Sequence, residues 1–224
     1  DELVPPEQKP VKGQIRDSNS MWVRGLVQPF QVELTQAHLT EDFERAKSEI
    51  GNRKSEIQNA DLVLVSGGAS VGDKDFTRPL LEWLGFETVF SQVNLRPGKP
   101  LIFGVNGRRV AFGLPGNPLS HFVCFHFAVA TALARLSGEA VPKFLRGRLA
   151  ARLDDAACPR ETLWPARLEW NDGSPQLHPL AWASSGDVTC LAAANALIRV
   201  QAKVDSVSAS DELEFLPLPG MISS

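Results

Sequence analysis

The chain contains few cysteines, no excess of basic residues and no long uncharged apolar run, and each absence excludes a class of protein. Its three cysteines are widely separated, which indicates neither a disulfide framework nor a CxxC metal site, so we expect a reducing, cytoplasmic location. A formal net charge of -3 argues against a general nucleic-acid or membrane-surface binder. The longest apolar stretch, residues 119–136, carries two histidines and an arginine, which favours a buried helix over a membrane span.

The composition and the order of the elements indicate a folded protein with two different parts. The 224 residues are 43% hydrophobic, enough for a core. Helix-like and strand-like segments alternate over residues 1–142, which predicts an α/β domain with a mostly parallel sheet. Five short strand candidates with turn signals between them follow over residues 143–224, and they predict a small all-β barrel or sandwich.

Several local signals place elements within the first part. Thr40 is predicted to cap a helix over residues 41–57. The apolar, β-branched run at residues 61–65 is typical of an interior strand of a parallel sheet. Asn106 and Gly107 form the favoured dipeptide of a two-residue hairpin turn. These signals predict a strand that ends in a glycine-rich loop and a hairpin that follows it in the chain.

The glycine-rich stretch SGGASVGDKD, residues 66–75, comes directly after the predicted strand. Open α/β sheets bind ligands at the carboxyl ends of their parallel strands. Glycines let backbone amides approach an anion, and serines add hydroxyl donors. The candidate ligand-binding residues here are Ser66, Gly67, Gly68, Ser70 and Gly72.

Two aspartates complete this stretch and change the kind of ligand that it predicts. Asp73 and Asp75 would repel a phosphate unless a hard cation such as Mg²⁺ lay between them, so the loop predicts a metal-bridged anionic ligand. The alternative is a polar loop in which Asp75 only caps the next helix.

A second candidate is the turn RPGKP, residues 96–100, which presents Arg96 and Lys99 on a stiff loop. Arginine suits bidentate binding of an oxyanion, and lysine supplies a point charge. The alternative is a pair of ordinary surface charges. The turn is not a P-loop, because proline follows the Gly-Lys pair and the full glycine spacing is missing.

A third candidate is the turn GLPGNP, residues 113–118, which precedes a long apolar helix. Its candidate residues are Pro115, Gly116, Asn117 and Pro118, because the first amides of a helix can face an anion. The alternative is a simple connector in which Asn117 caps the helix and Pro118 is its first residue.

Together with GQIRDSN, residues 13–19, these three stretches occur in an order and spacing that resemble the MoeA/gephyrin family of molybdopterin molybdenumtransferases. The resemblance is strong over residues 1–142. It is weaker over residues 143–224, where SSGDV and ANALIRV look like the family's C-terminal β-barrel domain. The resemblance implies a three-layer MogA-like α/β domain followed by that small barrel.

The resemblance also implies a function. Members of the family insert molybdate into adenylylated molybdopterin and release AMP, with Mg²⁺ as the usual metal, and they form homodimers. By motif position, the catalytic candidates are Asp17, Asp73, Asp75, Arg96 and Lys99, and Asp73 and Asp75 are the metal ligands. Pro115 and Pro118 match a wall of the pocket. We expect no nucleic-acid or membrane partner, and a noncatalytic pterin-nucleotide-binding or scaffold module remains the alternative.

The chain departs from the family pattern in three ways. Family members begin with two further domains, carry an apolar strand ahead of the position of Asp1, and often have lysine where this chain has Gln92. On these grounds we expect an α/β domain without its first strand, and a chain that binds the pterin nucleotide but turns it over poorly alone.

Overall fold

The computed structural model describes residues 2–40, 42–68, 76–154 and 156–218. The contacts divide the chain into two compact units. Unit 1 comprises Asp1–Gln92 and Pro100–Gly116, and unit 2 comprises Val93–Lys99 and Asn117–Ser224. The predicted domain boundary near residue 142 stays a prediction, since the units follow contacts within the fold rather than the order of the chain.

The helices and strands agree broadly with the predicted pattern. In chain order they are β1 (Leu3–Val4), β2 (Ile15–Arg16), α1 (Asn19–Leu26), α2 (Phe43–Gly51), α3 (Lys54–Asn59), β3 (Leu62–Ser66), α4 (Thr77–Trp83), β4 (Glu87–Phe90), β5 (Leu95–Arg96), β6 (Ile102–Asn106), β7 (Arg109–Leu114), α5 (Pro118–Cys124), α6 (Ala130–Leu136), β8 (Leu145–Leu149), β9 (Glu161–Asn171), β10 (Ser174–Pro179), β11 (Ala196–Val200) and β12 (Glu212–Pro217).

The main sheet of unit 1 has four strands in the order β3-β7-β6-β4. β3 and β7 are parallel, whereas β7 with β6 and β6 with β4 are antiparallel. The sheet is therefore mixed, and the prediction of a mostly parallel sheet is wrong for the described strands. The physical reason is the hairpin between β6 and β7, whose two-residue turn reverses the chain. Asn106 pairs with Arg109, so Gly107, with φ of +61°, and Arg108 form that turn, one residue later than predicted.

Helices α2 and α4 bury apolar side chains against this sheet. Ile50 of α2 and Leu80 and Leu81 of α4 form one cluster with Ile102 and Ala111 of the strands. Burying each such side chain contributes about 1.5–3 kcal/mol. This cluster fixes where α4 begins, and with it the far end of the glycine-rich stretch.

The helix predicted over residues 41–57 is two helices, and its predicted cap is wrong. The carboxylate of Asp42, not the hydroxyl of Thr40, accepts a hydrogen bond from the backbone N–H of Arg45 at 2.8 Å. α2 ends at Gly51 with Asn52 as its C-cap, and both residue types have low helix propensity, so the chain restarts as α3.

Unit 2 contains a closed five-stranded barrel in which all five predicted strands are present. The ring runs β8-β12-β11-β9-β10 and closes through the parallel pair of β10 and β8. β5 adds to it by pairing in parallel with β9. Closure leaves no free edge in the ring, and its interior is packed with apolar side chains such as Leu177, Ile198 and Phe215.

The predicted apolar helix of unit 2 is present as Pro118–Leu136, in which a π-helical segment, Phe125–Val129, joins α5 to α6. The helix is long and apolar enough to cross a membrane by length and composition alone, with a mean hydropathy of 1.4. However, 67% of that apolar window is buried within the structure, as in the core helix of a soluble protein.

Candidate functional site

The carboxyl end of β3 carries two adjacent glycines in left-handed backbone conformations, where the predicted ligand loop begins. Gly67 has φ of +88° and Gly68 of +65°. A β-carbon on Gly68 would lie 2.4 Å from the ring of Phe76, so only glycine fits there. The N–H of Gly67 donates to the carbonyl of Leu114 at 3.0 Å. The chain therefore turns sharply at the end of β3 while it stays bonded to the end of β7.

Asn19, at the start of α1, joins the ends of these two parallel strands. Its Nδ2 donates to Oγ of Ser66 at 3.2 Å and to the carbonyl of Gly116 at 2.8 Å. Its Oδ1 is buried and accepts no hydrogen bond from any described residue. We call this group, Asn19 with Ser66, Gly67 and Gly116, the strand-end tie. Sequence analysis gave Asn19 no role, although it ends the GQIRDSN stretch.

Thr77, the first residue of α4, holds the other end of the glycine-rich stretch. It is fully buried, and its hydroxyl donates to the carbonyl of Gly67 at 2.7 Å. Gly113 of β7 makes room for it, because a β-carbon there would lie 2.5 Å from Cγ2 of Thr77. The two ends of the stretch are thus fastened to each other.

The middle of this stretch, residues 69–75, lies outside the described residues, and with it the predicted site residues Ser70, Gly72, Asp73 and Asp75. Among the residues that the structure does describe, no group of three or more His, Cys, Asp or Glu side chains lies together. The two predicted metal ligands therefore stay predictions.

Asp17, a predicted catalytic residue, has a local structural role in the described part of unit 1. Its carboxylate accepts hydrogen bonds from the backbone N–H of Ser20 at 3.1 Å and from the Ser20 hydroxyl. These bonds satisfy an orphan donor in the first turn of α1, which positions Asn19. A catalytic role for Asp17 stays a prediction.

The predicted residues of the GLPGNP turn divide between the two units. In unit 1, Pro115 is buried, and Gly116 is exposed and accepts the bond from Asn19. In unit 2, Asn117 is the N-cap of α5 by position, but its side chain makes no cap hydrogen bond. Its Nδ2 donates instead to Oγ of Ser185 at 2.9 Å. Pro118 is the first helical residue, as predicted.

Ser185 belongs to the SSGDV stretch, which forms a tight loop at the start of α5. Its carbonyl accepts from the N–H of Leu119 at 3.0 Å. Asp187 organises the loop by accepting bonds from the hydroxyl and N–H of Thr189 and from the N–H of Ala183. The Thr189 hydroxyl and these backbone donors lower the pKa of Asp187 below its usual range. The Ser185 hydroxyl and the side-chain amide of Asn117 are thus both fixed beside the start of α5.

Arg96, on β5 in unit 2, lies beside two tryptophans that contact each other. Its guanidinium carbon is 5.0 Å from the ring centroid of Trp182 and 5.8 Å from that of Trp164. The two indoles are 5.6 Å apart and nearly perpendicular, at 77°. Lys99, in contrast, is exposed. In the predicted cationic turn, the guanidinium of Arg96 therefore contacts aromatic rings, whereas the ammonium of Lys99 is exposed to solvent.

Arg160 is a second cation beside Arg96, and sequence analysis missed it. Its Nη1 donates to the carbonyl of Leu95, the neighbour of Arg96, at 2.9 Å. Burial raises the pKa of the Cys158 thiol, but the Arg160 backbone N–H and the Arg96 guanidinium lower it, and the net pKa is below the usual range. Two guanidiniums and a buried thiol thus share one environment, from segments about 60 residues apart in the chain.

Comparison with known proteins assigns the family. Residues 1–135 match the family model described as the probable molybdopterin binding domain. The chain belongs to this family. Residues 146–218 match a second model, the MoeA C-terminal region, domain IV. The resemblance stated from the motifs is confirmed.

Individual relatives agree with this assignment. A molybdopterin molybdenumtransferase of Nostoc sp. is 34% identical over 98% of this chain and 51% of its own length. The molybdenum cofactor synthesis protein cinnamon of Drosophila melanogaster is 36% identical over 61% of this chain and 22% of its own length. The solved molybdopterin biosynthesis MoeA protein of Pyrococcus horikoshii superposes with a TM-score of 0.78 at 28% identity, over 98% of this chain and 52% of that chain.

These matches confirm the predicted fold class, a MogA-like α/β domain followed by a small C-terminal β-barrel. They also show how much of each relative this chain covers. The chain spans about half, or less, of the length of these three relatives.

Proposed function

We propose that this chain is the molybdopterin-binding part of a molybdenum cofactor biosynthesis enzyme. In this proposal it binds adenylylated molybdopterin and takes part in the insertion of molybdate with release of AMP. The family membership and the relatives named molybdopterin molybdenumtransferase support the assignment. Each unit contributes its own anion-binding groups to it.

The strand-end tie of unit 1 is the observation that carries the proposal. Gly67 and Gly68 expose backbone where α/β sheets bind ligands, at the carboxyl ends of two adjacent parallel strands. The Ser66 hydroxyl accepts from Nδ2 of Asn19 and keeps its own hydrogen as a donor at the same edge. A phosphorylated pterin needs such donors, since its phosphate accepts hydrogen bonds.

The two arginines of unit 2 support the oxyanion part of the proposal. Molybdate is a tetrahedral dianion, and guanidiniums bind such oxygens through paired N–H donors. Arg160 donates to the carbonyl of Leu95, the residue before Arg96, so the two arginines are neighbours. Lys99, exposed on the same turn as Arg96, adds a mobile positive charge. We assign binding of the incoming oxyanion to these three residues.

Mg²⁺ belongs to the proposal through the chemistry of its donors. Asp73 and Asp75 are hard oxygen ligands, the type that Mg²⁺ prefers, and both lie outside the described residues. When bound, the ion would offset the negative charge of the pyrophosphate.

The direct test of the proposal is release of AMP from adenylylated molybdopterin in the presence of molybdate and Mg²⁺. Asp75→Ala should abolish AMP release while the nucleotide still binds, because a metal ligand is lost but the backbone cradle is kept. Binding by the native chain without any AMP release would favour the noncatalytic binding module. Protection of the chain by ATP but not by the pterin nucleotide would refute both readings.

We further propose a cytoplasmic location and a homodimer. Three free, buried cysteines suit a reducing compartment. Light scattering during size-exclusion chromatography would measure the mass in solution against the 24.4 kDa of one chain.

A further inference from the structure

The surroundings of Arg96 are unusual for a cation that is meant to meet an anionic ligand. A guanidinium on a long stem normally samples many rotamers, and binding must then fix it at a cost in entropy. Here the Arg96 guanidinium lies over one indole at 5.0 Å and near a second at 5.8 Å. Both distances are within the range of cation–π attraction, which strengthens as water is excluded.

The two tryptophans differ in how firmly other contacts hold them. Trp164 is 8% exposed in the barrel core, and its Nε1 donates to the carbonyl of Leu180 at 2.8 Å. Trp182 is only partly buried against that core, and its buried Nε1 has no hydrogen-bond partner within the described part of the chain. Trp164 is thus held in place by its packing in the barrel core and by its hydrogen bond, independently of Arg96. The described contacts of Trp182 are therefore those of its ring, with the indole of Trp164 and with the guanidinium of Arg96.

An aromatic surface suits this position because it leaves the charge of Arg96 unneutralised. A carboxylate partner would also hold Arg96, but it would neutralise the charge and repel an oxyanion. An indole face holds the guanidinium through its quadrupole and leaves the positive charge and the N–H edge available. Arg160 is anchored differently, through the carbonyl of Leu95, and it likewise keeps its formal charge.

We propose that Trp182, backed by Trp164, is a positioning residue that holds the Arg96 guanidinium ready for a tetrahedral oxyanion. The proposal deepens the function above and rests on its assignment of the oxyanion to Arg96. Loss of the Trp182 ring face leaves Arg96, among its described contacts, with only the more distant Trp164 indole and the Cys158 thiol, so Arg96 gains access to more rotamers. The affinity for molybdate then falls by about 10-fold, in the range expected for a partly desolvated cation–π contact.

The position of Arg96 can be measured without any ligand, by NMR of the full chain. An indole face shifts the Hδ and Hε resonances of Arg96 upfield. We expect this shift in the native chain, in Trp182→Phe, which keeps an aromatic face, and in the control Trp170→Leu, whose tryptophan is 56% exposed. The shift should fall in Trp182→Leu, or in Trp182→Met if the leucine variant does not fold, because of the two indoles only that of Trp164, at 5.8 Å, remains. An unchanged shift in these truncations would overturn the positioning role.

Molybdate titration by calorimetry then tests the consequence for binding. Trp182→Leu should weaken binding about 10-fold, Trp182→Phe by less than about 3-fold, and Trp170→Leu not at all. Equal losses in the phenylalanine and leucine variants would overturn the proposal, because they would assign the effect to the indole N–H. Native affinity in Trp182→Leu would overturn it as well. Native affinity in Arg96→Ala would instead refute the oxyanion assignment, and the NMR shift would still decide whether Trp182 positions Arg96.

Discussion

In the proposed function, the strand-end tie of unit 1 and the arginine pair of unit 2 bind anions by different means. In the tie, neutral hydrogen bonds from Asn19 and the N–H of Gly67 fix exposed backbone over short distances. In unit 2, two permanent charges are held by an aromatic face and a carbonyl. A preformed backbone cradle selects a ligand by its shape. A pair of positioned cations selects a ligand by its charge. Substitutions in the strand-end tie and in the arginine pair should therefore impair binding of different ligands.

The largest effect on stability is expected at Gly68, where an added β-carbon meets the ring of Phe76. Gly68→Ala should destabilise unit 1 by about 2–4 kcal/mol, the sum of the left-handed conformation and the overpacking against Phe76. Gly67→Ala is the matched control, because it has φ of +88° but open space around the added carbon. It should cost about 1–2 kcal/mol. Hydrogen exchange of the β3 amides measures both, and equal costs would show that Phe76 yields without strain.

The next effect concerns His126, one of two buried histidines in unit 2. Burial lowers the pKa of His126 to about 4 from 6.5. The unfolded chain therefore binds the proton first, and stability falls as the pH drops from 6.5 toward 4, by about 3 kcal/mol in all. His126→Leu should remove this contribution, whereas His178→Leu, at a half-exposed position, should keep it. Urea denaturation between pH 4 and pH 7 gives the comparison, and equal slopes in both variants would contradict it.

A smaller effect is expected at Asn19. Asn19→Ala removes two hydrogen bonds and should cost about 1–2 kcal/mol, together with a loss of affinity for the pterin nucleotide. Asn19→Asp should be no better, since a carboxylate cannot donate to the carbonyl of Gly116. Asn52→Ala, at the exposed end of α2, is the control. Full nucleotide affinity in Asn19→Asp would show that the tie is dispensable for binding.

The smallest effect should come from Cys158. Its folded pKa lies below the unfolded value, so its contribution is fully present above the unfolded pKa and is lost as the pH falls through the folded pKa. Cys158→Ala should therefore be less stable than the native chain at pH 9 by more than it is at pH 7, by a difference below about 1 kcal/mol. A difference that grows toward acid would reverse the sign and contradict the arginine contact.

The sequence predicted the tie better than the arginine pair, for a physical reason. Glycines at the end of a β-branched strand form a contiguous signal, which predicted Ser66, Gly67 and Gly68, and the GLPGNP turn predicted Gly116, whereas Asn19 was missed. Arg160 reaches Leu95 because β5 pairs with β9, and Trp182, beyond the end of β10, reaches Arg96 because β10 also pairs with β9. No local pattern encodes those pairings. The order of the four sheet strands was also hidden, because the hairpin turn was recognised but its effect on sheet direction was not.

The most direct measurement is calorimetric binding of adenylylated molybdopterin to the native chain, to Gly68→Ala and to Arg96→Ala. We predict that Gly68→Ala loses binding of the nucleotide, and that Arg96→Ala keeps it but loses molybdate binding. Native nucleotide affinity in Gly68→Ala would contradict the claim that the carboxyl end of β3 holds the pterin nucleotide.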